Sequence, residues 1–411
     1  MKFLLAIALA AATFVCVAAR ADTPLLTPAL SARVCADDAT LCDGWKLVGQ
    51  PSRLIAEKPS PLEASLLLSL AADHERAYVL IRRGDYAGWA KNYGEPGADG
   101  LAVCEAATAT CAEIYTAPDF RQKPFLISFA HDELVLGITH HVTSKLYDPE
   151  GHISYQRSTD GGRQWTEINV PARCETDHKH MCSLMVASNG DYVFVFAALN
   201  SEDESKASGL VINVYRSHDF GKNWTLQTPH GGLLTRSFMY SETAMAGNHV
   251  VLILNSEKER SLAVLDEHGK LSKLGMADKL DQGKSLIMAP DSFIATDANA
   301  AYLLGRGSEP SHYLYRLREN AEKIEVAAIG KVNGRVTLVT GADPFIALRA
   351  WYYRDPGEAM FAILHVSQDG GDHWQAHPLP NDKANGDLAL RGGRLWSVSG
   401  GRVYYMDIKK P

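Results

Sequence analysis

One eight-residue word is spelled three times in this chain: Ser158-Thr-Asp160-Gly-Gly162-Arg-Gln-Trp165, Ser217-His-Asp219-Phe-Gly221-Lys-Asn-Trp224 and Ser367-Gln-Asp369-Gly-Gly371-Asp-His-Trp374. In each copy an alternating or apolar run ends at the serine and another starts at the tryptophan, the pattern of a strand, a tight turn and a strand. The aspartate accepts hydrogen bonds from turn N–H groups, and the glycine permits a backbone angle that other residues avoid. The tryptophan, opening the next strand, lies over the turn as its apolar lid. A corner that recurs in this way predicts a repeated architecture.

Between the corners the chain reads as short β runs. Around the first they are 125–130, 134–139, 153–157 and 165–170; around the second, 183–187, 192–198, 210–216 and 224–227. Both groups hold four strands with the octapeptide joining the third to the fourth, which is one propeller blade. Carried outward, the template predicts blades near 64–117, 237–274, 292–328 and 336–379. The last run, 388–407, supplies three strands, and Trp45-Lys-Leu-Val-Gly49 supplies the missing fourth from the N-terminal side. Closure by both ends removes the free sheet edges. The expected fold is an all-β, seven-bladed β-propeller of four-stranded antiparallel blades closed by an N-terminal strand, with six blades as the alternative partition around 336–351.

The octapeptide resembles the Asp-box, or bacterial neuraminidase repeat, of the sialidase-like β-propeller superfamily. That superfamily includes exo-sialidases, endo-acting glucanases, lectin-like binders, sorting-receptor ectodomains and photosystem assembly factors, so the resemblance implies the fold more sharply than an activity. True sialidases also carry a Phe/Tyr-Arg-Ile-Pro near the first blade, an arginine triad, a Tyr–Glu nucleophile pair and an Asp acid/base. The nearest early segment here, Pro51-Ser-Arg53-Leu-Ile, departs from the first of these patterns.

The N-terminal residues read as a targeting segment: Lys2, an apolar run from Phe3 to Ala19, and a small-x-small site at Ala19-Arg20-Ala21. The expectation is a signal peptide over 1–21, export to the periplasm or beyond the cell, and one propeller domain over 22–411. Without residues 1–21 the chain holds 39 basic and 48 acidic residues, a net charge of −9 with His neutral. That argues against nucleic acid and anionic membrane surfaces as general partners. No later stretch is long and apolar enough for an integral membrane segment. Six cysteines remain as Cys35/Cys42, Cys104/Cys111 and Cys174/Cys182, the pattern of local disulfides in an exported chain. Their spacing is wider than a thiolate knuckle, and neither a metal site nor a cofactor is assigned.

In a four-stranded blade, turns one-to-two and three-to-four share a rim. The corner residues Ser158, Asp160, Gly162 and Trp165, with their counterparts Ser217, Asp219, Gly221, Trp224, Ser367, Asp369, Gly371 and Trp374, are therefore read as structural. The opposite rim receives the ligand-binding candidates. Trp89 and Tyr93 belong to a Gly-rich excursion whose aromatic faces suit a sugar, or which anchor the loop itself. Arg121, Arg236 and Arg354 offer planar donor forks to a carboxylate, with a solvated role as the plain alternative. His140-His141, His178 and His180 offer imidazoles to a cation or a pH-responsive surface, or line a rigid exported loop. Asp119, Tyr353 and Asp355 are the candidates for catalysis, where a hydrolase needs two carboxylates or an activated Tyr beside an acid. The leading expectation is an exported ligand-binding propeller recognising a glycan or another exported protein. A divergent sialidase-like glycoside hydrolase is the alternative, and a periplasmic assembly or scaffold factor the third.

Overall fold

The computed structural model describes residues 25–26, 44–49, 67–72, 74–81, 99–118, 122–130, 133–140, 151–171, 174–175, 180–186, 192–199, 210–219, 221–228, 233–235, 243–255, 260–274, 287–296, 300–306, 311–320, 323–342, 344–353, 360–379, 388–399 and 402–408. They form seven sheets.

Blade 1 comprises Leu67–Ala72, Arg76–Ile81, Gly100–Glu105 and Thr110–Thr116. Blade 2 comprises Gln122–Ala130, Glu133–His140, His152–Ser158 and Thr166–Glu167, and blade 3 His180–Val186, Tyr192–Leu199, Leu210–Ser217 and Thr225–Leu226. Blade 4 comprises Thr243–Ala246, His249–Asn255, Arg260–Leu265 and Leu271–Leu274, and blade 5 Ile287–Thr296, Ala300–Arg306, Ser311–Asn320 and Lys323–Asn333. Blade 6 comprises Arg335–Ala342, Phe345–Tyr353, Met360–Ser367 and Gln375–His377. Blade 7 takes Leu388–Arg391, Arg394–Ser399 and Arg402–Asp407 from the C-terminal side and Trp45–Gly49 as its fourth strand, antiparallel to Arg402–Asp407.

The first strand of each blade touches the first strand of the next, and Leu388–Arg391 of blade 7 returns to Leu67–Ala72 of blade 1. These seven strands therefore line the axis of a closed ring. The hydrophobic core lies between successive sheets. Tyr78 and Leu101 of blade 1 bury Leu134 and Leu136 of blade 2, while Trp396 and Val403 of blade 7 pack with Ala77, Val79 and Ile81 of blade 1.

Three details depart from expectation. In blades 2 and 3 the octapeptide leads into a fourth strand of only two residues, and a second short segment completes the outer edge. Cys174–Glu175 pairs with Ile153 and His152, and Leu233–Thr235 pairs with Leu210 to Ile212. The first strand of blade 5 starts at Ile287, upstream of the predicted 292, because it runs through Pro290 with register shifts between Met288 and Ala295; proline lacks the ladder donor and forces the irregularity. Leu25–Leu26 adds a parallel strand beside Lys331 and Val332 of blade 5.

The octapeptide corners share one hydrogen-bond plan. The Ser158 hydroxyl donates to Asp160 Oδ1 (2.7 Å) and accepts from Gly162 N–H (2.8 Å), while the N–H groups of Arg163 and Gln164 donate to Asp160 Oδ1 (3.0 and 2.9 Å). Ser217/Asp219 and Ser367/Asp369 repeat it. The corners also reach beyond their own blades. A Cβ on Gly221 would stand 2.6 Å from Ile168 Cγ2 of blade 2, and one on Gly371 2.6 Å from Ile329 Cβ of blade 5; Gly162 abuts Ile114 of blade 1 in the same way. Trp224 Nε1–H donates to Asn169 O of blade 2, and Trp374 Nε1–H to Ile329 O of blade 5 (2.9 Å). Each corner is thus also a bolt onto the preceding blade.

Other corners do the same work with different chemistry. In blade 4, Asp266 Oδ1 accepts from the N–H groups of His268 (2.9 Å) and Lys270 (2.8 Å), and Gly269 abuts Gln227 O of blade 3. In blade 1 the Cys104–Cys111 disulfide spans the third-to-fourth turn, as expected, and lies against Gly49 of the closing strand. In blade 7, Trp45 opens the fourth strand and donates from Nε1–H to Pro378 O beyond blade 6 (3.0 Å), the kind of bond that Trp224 and Trp374 make.

Candidate functional site

The corner rim is consumed by its own bonding. Asp219 is held down to about 2 by the Asn223 backbone N–H, its side-chain amide and the Ser217 hydroxyl. Burial opposes the same shift at Asp369, but the His373 N–H, its imidazole and the Ser367 hydroxyl outweigh it and hold that carboxyl near about 2. Asp160 is lowered chiefly by the Gln164 N–H and the Ser158 hydroxyl. Such permanently charged, turn-capping carboxylates are poorly suited to proton transfer near neutral pH.

The opposite rim is best described between blades 1 and 2. Leu134 and Leu136 alternate onto the face of blade 2 that meets blade 1, so period-two alternation brings His140 onto that face where the strand reaches the rim. Antiparallel register sets His140 opposite His152 and Ile138 opposite Ser154. The inter-blade core therefore ends in a polar row. The two half-buried imidazoles stack with centroids 4.3 Å apart and ring planes 3° from parallel, and His140 Nε2 lies 2.7 Å from Ser154 Oγ. Glu175 stands opposite His152 on the other side, so His140, His152 and Glu175 occupy one register row across three strands. His152, Ser154 and Glu175 were absent from the sequence candidates. Counting back along the hairpin from Ser158 opposite Leu134 finds the histidine pair, but Glu175 depends on the irregular outer segment.

A second imidazole group is interior. In blade 6, Tyr352 Oη lies 2.6 Å from His365 Nε2 and donates to Leu26 O (3.3 Å). The tautomer carrying hydrogen on His365 Nε2 satisfies both bonds, the imidazole donating to Oη and the phenol to the carbonyl. Burial, with the adjacent His377, brings His365 down to about 4, and burial likewise lowers His377 and raises Tyr352. Both partners of the bond are therefore neutral near pH 7, and together they latch the Leu25–Leu26 strand onto the seam between blades 5 and 6.

Of the sequence candidates, Trp89, Tyr93, Asp119, Arg121, His178, Arg236, Arg354 and Asp355 lie outside the described residues, as do Cys35, Cys42, His141 and the segment 1–21. For His180, Tyr353, Cys174 and Cys182 the backbone places each on a strand: His180 opposite Ala198, Tyr353 opposite Met360, Cys174 opposite Ile153 and Cys182 opposite Phe196. Among the described residues no three His, Cys, Asp or Glu side chains gather as a metal cluster, and no helix is long and apolar enough to cross a membrane.

No protein-family profile and no curated protein matches the chain. Solved structures do. The Pyrococcus horikoshii acylaminoacyl peptidase aligns over 81% of this chain and 49% of its own, at 9% identity and a TM-score of 0.50; its uncomplexed form aligns over 85% and 53%, at 8% identity and the same TM-score. This chain thus spans about half the length of that peptidase. A streptogramin B lyase structure aligns over 89% of this chain and 98% of its own, at 11% identity and a TM-score of 0.48. At such identities the likeness to the peptidase speaks for the fold alone, and it agrees with the ring of seven sheets, a β-propeller.

Proposed function

We propose that the protein is an exported ligand-binding propeller of the sialidase-like, Asp-box type. In this reading residues 1–21 are a cleaved signal peptide, 22–411 are one domain, and the Cys35/Cys42 and Cys174/Cys182 pairs are further disulfides. The ligand, a glycan or another exported protein, docks on the rim opposite the corners. The supporting observation is the contrast between rims: the corner carboxylates are tied into their own turns, whereas the inter-blade face of blade 2 ends in the His140–His152 stack beside Ser154. Flat imidazole faces and a hydroxyl suit a polyhydroxylated ligand.

A glycan microarray probed with the wild-type chain and with His152→Ala tests this directly. Retention of a glycan class by the wild type, lost in the variant while the melting temperature holds, is the expected result; retention unchanged by the variant moves the site elsewhere. The hydrolase reading is tested by a fluorogenic sialoside and glycoside panel. Turnover abolished in Asp119→Asn or Asp355→Asn would replace binding with catalysis.

A further inference from the structure

We propose that the Cys104–Cys111 disulfide of blade 1 is a redox-sensitive lock on the closing strand, so that a dithiol reductant loosens the seam that shuts the ring. The lock goes beyond the ligand-binding reading and does not depend on it.

Cys104 and Cys111 face each other directly across the third and fourth strands of blade 1, and the closing strand Trp45–Gly49 lies against both of those strands. Cys104 is fully buried among Ala72, Ala77 and Val79 of its own blade, in the cluster that also holds Val48 of the closing strand and Val403 of that strand's partner. Cys111 packs against the same cluster, and its Sγ lies 2.7 Å from where a Cβ on Gly49 would stand. Glycine is what lets the closing strand pass the sulfur. The contact falls where the seam is weakest: Leu47 pairs with Tyr404 and Gly49 with Val403, so Val48 is an extra residue at a bulge and the ladder is interrupted there.

Reduction changes the space that the pair needs, because two thiols at van der Waals contact take more room than two bonded sulfurs. A close-packed interior passes such an expansion to its least anchored neighbour. On this side of blade 1 that neighbour is the bulge at Val48 and Gly49. The chemistry is ordinary thiol–disulfide exchange. One thiolate of the dithiol attacks the sulfur of half-buried Cys111, the Cys104–Cys111 bond breaks, and Cys104 leaves as a thiolate and takes up a proton. The second thiol of the reagent then expels Cys111, so the protein gains two electrons and two protons while the dithiol becomes a disulfide. The arrangement ties firm closure of the ring to an oxidising compartment.

Hydrogen–deuterium exchange of the full chain, read by mass spectrometry before and after dithiothreitol at pH 7.5, tests the lock, with alkylation of parallel samples giving the fraction of each cysteine reduced. Exchange across Trp45–Gly49 and Arg402–Asp407 should rise at least about tenfold, in step with reduction of Cys104 and Cys111, while Ala300–Arg306 in blade 5 stays protected. A double variant, Cys104→Ala with Cys111→Ala, removes the bond and the bulk of both sulfurs together. Its seam should exchange within about threefold of the oxidised wild type and ignore the reductant. Should that variant fail to fold, the titration of the wild type decides by itself. A seam unmoved once both cysteines are reduced, a rise confined to 100–116, a rise that follows Cys174 or Cys182 instead, or an equal response to reductant in the double variant overturns the proposal. So does a Cys104–Cys111 bond that the dithiol leaves intact.

Discussion

Gly221 and Gly371 show how narrowly the corners are specified. Both have positive φ, 79° and 97°, and both face an isoleucine of the preceding blade at 2.6 Å from where a Cβ would stand. Alanine is penalised twice, by backbone strain and by collision, so Gly221→Ala should lower stability by roughly 2–4 kcal/mol in urea unfolding. Ile168→Ala, tested in the Gly221→Ala background, should remove the steric share and leave the backbone share; a full rescue would show that the angle costs nothing. The octapeptide made the turn geometry readable from sequence, but the isoleucine is 53 positions away from Gly221 and carries no local mark. His365 is a residue of the other kind, unremarkable in sequence and consequential when buried. Its folded pKa, about 4, lies below the unfolded value of about 6.5, so folding excludes a proton. Its contribution is therefore complete above pH 6.5 and is lost as pH falls toward 4, up to about 3 kcal/mol, with His377 acting in the same direction. His365→Gln should flatten the melting temperature between pH 6.5 and 4. An unchanged slope there would assign the acid sensitivity to other groups, since the corner aspartates titrate only below that window.

At the scale of elements, the ring is held by donors reaching from one blade to a carbonyl of its neighbour. Trp45, Trp224 and Trp374, at the start of fourth strands, reach backward, Trp374 to Ile329 O (2.9 Å). Arginines reach forward: Arg216 of blade 3 to Asn248 O of blade 4 (3.0 Å), Arg316 of blade 5 to Gly370 O of blade 6 (2.8 Å), and Arg394 of blade 7 to His74 O of blade 1 (2.7 Å). Strand order, the placement of corners between third and fourth strands, and the disulfide-closed turn of blade 1 were all legible, because each depends on neighbours in sequence. The arginine links were not, because an arginine on a strand looks the same whether it meets solvent or the next sheet. The short fourth strands of blades 2 and 3 were hidden for a related reason: their edges are completed by Cys174–Glu175 and Leu233–Thr235, which lack strand-like alternation. The tryptophans allow a graded test. Trp374→Phe keeps most apolar area but removes a donor to two carbonyls, Ile329 O and Gly371 O, and should cost about 1–2 kcal/mol. Trp165→Phe should cost less, because Trp165 Nε1 has no hydrogen-bond partner and the ring contributes an edge contact with Tyr115 at 5.6 Å. Equal losses in chemical denaturation would mean that ring area, rather than the N–H, sets the value of this position.

For the whole molecule the decisive element is the closing strand. Trp45–Gly49 pairs with Arg402–Asp407, and this seam joins the N-terminal side of the chain to blade 7 as its fourth strand. It is reinforced by Trp45 Nε1–H to Pro378 O (3.0 Å), by Lys46 Nζ at 3.6 Å from Asp407, and by the contact of Gly49 with the Cys104–Cys111 disulfide. The exposed Lys46 pair is worth little by itself; the buried Trp45 and Val48 supply the apolar part. Removing the strand would leave Arg402–Asp407 as an unpaired edge, open to pairing with another copy. Closure was visible in sequence because the C-terminal run came up one strand short, whereas the candidate ligand residues of the loops had no such count to constrain them. Two truncations separate the closing strand from the Leu25–Leu26 strap. Deleting residues 22–43 removes the strap and should lower the melting temperature by a few degrees, since it takes away two paired residues and the Tyr352 bond to Leu26 O. Deleting residues 22–49 also opens the ring, and should lower the melting temperature by about 10 °C or more, broaden the calorimetric transition and produce dimers or larger species by light scattering. Equal melting temperatures for the two truncations would mean that blade 7 stands on its inter-blade packing and that the seven-sheet ring does not depend on its seam.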